Sequence, residues 1–137
     1  MMIKQALQKI SGVLFQHENS KLQGMHLLKP EAENDYTQGT YFEQLAIQRH
    51  QDFLIHHAIE SEDQSPIDYR NAMWNFLSAA LKGHKEAQYR IGVGYLNGEL
   101  GLDRNYAHAE TWLNKAAAQG HSSALHALNQ AYEELTF

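Results

Sequence analysis

Nine histidines in 137 residues are the first place to look for chemistry, because neutral imidazole is the commonest protein ligand for metals. Two ligands share a helix face only at spacings of about three or four. His50 and His57 are seven apart, His56 and His57 are adjacent, and His121 and His126 are five apart. No His-Glu-x-x-His run occurs, so no metal and no cofactor is expected. The absence of Cys removes thiol nucleophiles and thiolate ligands. Gly92-Val93-Gly94 lies inside a helical pattern rather than after a strand, so it is not a nucleotide-binding loop. No serine sits in a nucleophile elbow. Glu133-Glu134 and the run from Glu60 to Asp63 read as solvated charge. No catalytic residue is expected, and the question moves from reacting groups to shape.

The shape is set by a repeat. Gly83-His84 recurs 37 residues later as Gly120-His121, and Ala87, Ile91 and Tyr95 recur as Ala124, Leu128 and Tyr132. Self-similarity at such a period marks stacked supersecondary units. Ala87, Ile91 and Tyr95 fall on one helix face, and Asn97-Gly98 ends that helix. Asp103 is the expected cap of the next helix, whose buried stripe is Tyr106, Ala109, Trp112, Leu113, Ala116 and Ala117. Trp112 and Tyr95 are read as core. Gly92 leaves room for a close helix neighbour, against roughly 1 kcal/mol of helix propensity.

These residues, with Lys115, form a pattern A-x3-I-G-x2-Y-x2-G, D, A-x2-W-x2-K-A-A-x2-G-H. The pattern resembles the Sel-one-like repeat family, relatives of tetratricopeptide repeats with a longer loop between the two helices. The resemblance implies an all-α fold, a short right-handed α/α solenoid of about two and a half helix pairs with extra N-terminal helices. It also implies a module that scaffolds complexes by binding protein.

Residues 1–40 are expected to form an N-terminal arm or cap, and residues 41–137 the repeat domain. Apolar residues at Ile3, Ala6, Leu7, Ile10, Val13 and Leu14 predict an amphipathic helix that covers one end of the stack or docks on a partner. Lys21 to Leu28 predicts a short helix interrupted by Gly24. After Pro30, the polar stretch Glu31 to Thr40 predicts a loop. Tyr41 to Ile59 predicts helix, with Phe42, Leu45, Ala46, Phe53, Leu54, Ala58 and Ile59 as its apolar face. Pro66 opens the next helix, to Lys82. At the 37-residue shift Phe76 meets Leu113, so residues 41–82 read as a degenerate unit, 83–119 as the best unit and 120–137 as a terminal helix. In that register Ile55 stands for Gly92, Ala58 for Tyr95 and Asn75 for Trp112.

Net charge is −5, with about +3 over residues 1–30 and −8 over the remainder. This argues against a nucleic-acid binder, and no nucleic-acid partner is expected. No apolar run reaches the roughly 18 residues of a membrane span. The first ten residues lack a signal-peptide core, and with the missing Cys they point to a cytoplasmic protein. By the resemblance, the first helix of each unit lines a concave face. Its candidate protein-binding residues are Glu86, Tyr89, Val93, Leu96 and Asn97 in the best unit. In the terminal unit they are Ser123, His126, Gln130, Glu133 and Glu134. In the degenerate unit they are Arg49, Asp52, His56, Ile59 and Glu60. The expected function is a non-enzymatic bacterial adaptor or regulator holding a protein or peptide, with Tyr89 as anchor. The alternatives are an immunity protein that neutralises a basic toxin, occupation of the groove by the N-terminal arm, and a homodimer covering an apolar end. A hydrolase is the lesser alternative, and the missing Ser-x-x-Lys motif speaks against it.

Overall fold

A computed structural model describes the backbone of residues 2–56 and 62–136, and the side chains of 28–56 and 62–136. The described residues are all helix and turn. Helix α1 spans Met2–His56, α2 Ser65–Leu81, α3 Lys85–Asn97, α4 Tyr106–Ala118 and α5 Ser122–Leu135. Each helix packs on the next, which is the order of a helical stack. One core cluster holds Ala72, Phe76, Ala79, Ala80, Ala87, Ile91 and Leu100. A second holds Ala109, Leu113, Ala116, Ala124 and Leu128. Tyr95 packs against both and ties them together.

The two turns between units are alike. Gly83 and Gly120 take φ of 90° and 84°, a region where a β-carbon is strained. The following histidine amide donates back to the previous helix, from His84 to Ala79 O at 3.0 Å and from His121 to Ala116 O at 3.1 Å. Both histidines then cap the next helix. His84 Nδ1 accepts from the Ala87 amide at 3.2 Å, and His121 Nδ1 from the Ala124 amide at 3.1 Å. The reading of these two residues as helix starts is borne out. Gly98 closes α3 at φ 70°, as expected.

Five expectations are corrected. The loop predicted over Glu31 to Thr40 is helix, inside α1. Glu31, Glu33, Asn34, Thr37 and Gln38 are exposed, while Ala32 and Gly39 are buried, Tyr36 is half-buried on the first core and Asp35 accepts from Ser78 and Lys82 of the neighbouring segment. Packing against α2 outweighs the weak local propensity. The cap of α4 is Asn105, whose side chain accepts from the His108 amide at 3.0 Å, rather than Asp103. The Asn105 amide donates to Tyr95 O at 2.9 Å, so the loop end is set by α3, two residues later than expected. Tyr106 is exposed, not buried, because it opens the helix before the packing stripe begins. Trp112 and Tyr95 are half-buried: each has one side on the core, with Lys115 Nζ 4.7 Å over the Trp112 ring and His108 beside Tyr95.

The fifth correction concerns register. Tyr36 stacks on His84 as Tyr89 stacks on His121, both with ring centroids 4.4 Å apart. Glu33 binds His84 Nε2 at 3.0 Å as Glu86 binds His121 Nε2 at 2.9 Å. A β-carbon on Gly39 would lie 2.7 Å from Phe76, and one on Gly92 2.6 Å from Leu113. Glu33, Tyr36 and Gly39 therefore match Glu86, Tyr89 and Gly92, at an offset of 53 residues rather than 37. The first helix of the first unit lies around Ala32–Ala46, so the unit begins earlier than the expected 41–82. The 16-residue difference is an insertion that prolongs α1 to His56, and from Ile47 onward only Phe53 of that extension is not exposed. The apolar stripe expected over Met2 to Phe15 lies outside the described side chains, as do Ala58, Ile59 and Glu60.

Candidate protein-binding groove

α3 and α5 are both first helices of their units, and they run side by side. Leu113 and Leu128 on the buried faces of α4 and α5 hold this spacing, and Gly92 lets α4 approach α3 closely. The result is an open groove of about 570 Å³ lined by Tyr89, Val93, Leu96 and Asn97 from α3 and by Ser122, Ser123, His126, Ala127, Gln130, Ala131 and Glu134 from α5. Val93 and Leu96 form an apolar floor, half-buried against the second core. Asn97, His126 and Gln130 are exposed and offer amide and imidazole donors and acceptors along its walls. Glu134 supplies the one formal charge in the lining.

Eight of the fifteen expected binding residues meet here: Tyr89, Val93, Leu96, Asn97, Ser123, His126, Gln130 and Glu134. Glu86 stands at the edge, where its carboxylate orients His121. Arg49, Asp52 and His56 are not brought to this groove. They sit exposed on the extension of α1, and Arg49 Nη1 donates to Asp68 at 2.9 Å. The shifted register is the cause, because the 37-residue alignment placed them on a first helix that lies elsewhere. Ala127 and Ala131 were missed; they stand one and five residues after His126 and line the α5 wall because that face turns inward.

The matching space between α1 and α3 is bridged by an ion pair, beside a cavity of about 420 Å³ lined by Glu43, Arg90 and Glu99. Arg90 makes the bridge, donating Nε to both oxygens of Glu43 at 2.9 and 3.1 Å and Nη1 to Glu99 at 2.7 Å. Burial opposes the guanidinium charge, but the Glu43 and then the Glu99 hydrogen bonds hold it above its ordinary value. At the open joint Leu96 occupies the place of Glu43 and Ala127 that of Arg90. Truncation of one side chain and loss of charge from the other leave the cleft. No group of three or more metal-binding side chains occurs among the described residues.

Residues 61–84 and 85–121 match the family model of the Sel1 repeat. Over these two stretches the chain is similar to Sel1 repeats. The Sel1 match covers the second helix of the first unit and the whole of the second unit, and leaves out the helix around Ala32–Ala46 that completes the first. Sel1 repeats are generally protein-interaction modules. No curated protein and no solved structure matches the chain. Among the described residues no helix is long and apolar enough to cross a membrane.

Proposed function

We propose that this chain is a non-enzymatic interaction module, a small bacterial cytoplasmic adaptor or regulator, whose α3–α5 groove holds a peptide segment of a partner protein. The observation that supports this reading is the contrast between the two joints. The same fold bridges one space with the Arg90–Glu43 ion pair and leaves the other open with an apolar floor and polar walls. A bridged groove stabilises a stack; an open one with an apolar floor and exposed polar walls has capacity for a ligand. Tyr89 forms the inner end of the cleft, stacked on His121, so it is both a wall and part of the joint.

The acidic balance of residues 31–137 gives a second reading, an inhibitor of a basic toxin or enzyme. Both readings place a protein in the groove, and salt dependence separates them. The test is affinity capture from native cells with the wild type and with Leu96→Arg, a variant that fills the floor with the cation present at the bridged joint. A protein retained by the wild type and lost by Leu96→Arg, at unchanged melting temperature, supports the groove. Equal capture by both moves the interaction elsewhere. Retention that collapses between about 0.05 and 0.3 M salt favours the inhibitor, since exposed charges are screened within about a Debye length.

A further inference from the structure

The outer face of α2 carries large side chains whose counterparts in α4 are small or polar. At the 37-residue offset Arg70, Met73, Trp74 and Leu81 of α2 match Ala107, Glu110, Thr111 and Ala118 of α4. Thr111 is exposed and satisfies its own hydroxyl on Ala107 O at 3.0 Å. Position 74 is therefore a surface position in both units, yet in α2 it holds a tryptophan that is 60 % exposed. Repeat packing gives no reason for that side chain. Large aromatic rings left in water beside a cavity are the type enriched at interface anchors.

Such a cavity lies beside it. Pro66, Tyr69, Met73 and Trp74 form one wall, and Leu100 to Leu102 of the α3–α4 loop form the other, around about 700 Å³. The loop wall is held firmly. Leu100 is buried and keeps φ of 58°, and the Leu102 amide donates to Glu99 O at 3.0 Å. The 16-residue insertion opens this space, because α1 continues past Ala46 instead of turning directly into α2.

Charge identifies the occupant. Three charged or titratable side chains line the cavity besides Tyr69: His50, Asp63 and Arg70. The Asp63 carboxylate is already used, accepting from the Ser65 amide at 2.9 Å and bonded to His50 Nδ1 at 2.9 Å. Arg70 is exposed and makes no ion pair with any described residue, whereas Arg49 and Arg90 are paired. The free donor set at the rim is thus a guanidinium, which matches a carboxylate bidentately.

We propose that this cavity is a second docking site, separate from the α3–α5 groove, for an acidic segment of a partner protein that inserts one aromatic or large aliphatic side chain against Trp74 and places a neighbouring carboxylate on Arg70. The apolar side chain displaces water from Met73, Trp74 and Leu102. The carboxylate fixes direction and excludes basic segments.

The test uses the full chain and synthetic peptides. The probe is Ac-GSEEFEEGS-amide, with one control that has Lys for every Glu and another that has Ser for Phe. Binding is followed by the indole N–H resonance of Trp74 and, in Trp112→Phe, by fluorescence of Trp74 as the sole tryptophan. The acidic Phe peptide is expected to shift Trp74 saturably below about 1 mM, the affinity range of short peptides. Both controls are expected to bind at least about tenfold more weakly. Arg70→Glu reverses the preference between the Glu and Lys peptides, and Leu96→Arg leaves all three titrations unchanged. No saturable shift up to about 1 mM, equal binding of the Glu and Lys peptides, or loss of binding in Leu96→Arg overturns the proposal. The last outcome would assign the peptide to the α3–α5 groove, so the two sites fail independently.

Discussion

Lys82 holds Asp35 at 2.7 Å where the first unit meets the second, and Gln119 holds Gln88 at 2.8 Å at the corresponding place one unit on. Phe76 sits on Gly39 in the first unit and Leu113 on Gly92 in the second. Glu43 and Arg90 bridge the first concave space, whereas Leu96 and Ala127 leave the second open. The histidine cap, its glutamate and its stacked tyrosine are common to both. The comparison separates two kinds of residue. Histidine, tyrosine, glutamate and glycine fix the angle between units, and are the same in each. The residues around them are exchangeable, and their exchange decides whether a joint is a bridged seam or a binding cleft.

Breaking the equivalence at the core has the largest effect. Phe76 is buried on Gly39, so Phe76→Ala is expected to lose about 3–5 kcal/mol and Leu113→Ala about 2–5 kcal/mol, measured by denaturant unfolding. A loss under about 1 kcal/mol at Phe76 would mean that the helix around Gly39 is not the partner of α2. The bridged joint comes next. Arg90→Ala leaves Glu43 largely buried without its partner and is expected to cost about 2–3 kcal/mol, below the value for a wholly buried pair because both groups keep some water contact. Adding Glu43→Leu copies the open joint and is expected to recover at least about half of that loss in a double-mutant cycle. Strict additivity would show that Glu43 and Arg90 are not coupled.

The smallest effect sharpens the polar comparison. The hydrogen bond from Lys82, and then the one from Ser78, hold the Asp35 carboxyl below the ordinary carboxylate range. A depressed carboxyl contributes stability that is present above its unfolded value near pH 4 (roughly) and lost as pH falls through its folded value. Replacing the pair with Asp35→Gln and Lys82→Gln, the residues of the second unit, is expected to change the melting temperature little at pH 7. The double variant should then lose less melting temperature than the wild type on going from about pH 5 to about pH 2. Identical acid profiles would place the acid sensitivity in other carboxylates.

The second unit was legible because its signals are local. Ile91, Gly92 and Tyr95 stand within one helix turn of each other, and Gly98 ends that helix with a backbone angle few other residues accept. The first unit was only half legible. Phe76, Ala79 and Ala80 announce its second helix, but the first helix is written in Glu33, Tyr36 and Gly39 amid Asn, Asp, Gln and Thr. Those residues have meaning only opposite His84 and Phe76. Thr37 and Thr40 donate their hydroxyls to carbonyls one turn back, so even the polar side chains are absorbed by the helix. In the candidate groove, Tyr89, Val93, Leu96, Asn97, His126 and Gln130 follow from what the repeat resemblance implies, while Arg49, Asp52 and His56 inherited the wrong register.

The amino-acid order alone determined the period, the turns and the stripe of small residues, because each depends on neighbours three or four positions away. Tertiary structure decided where the first unit begins, which of two like joints stays open, and that Trp74 stands in water beside a cavity. Those outcomes rest on pairs such as Glu43–Arg90 and Asp35–Lys82, 47 residues apart. An insertion changes that separation without disturbing any local pattern, so no periodicity read along the chain can count it.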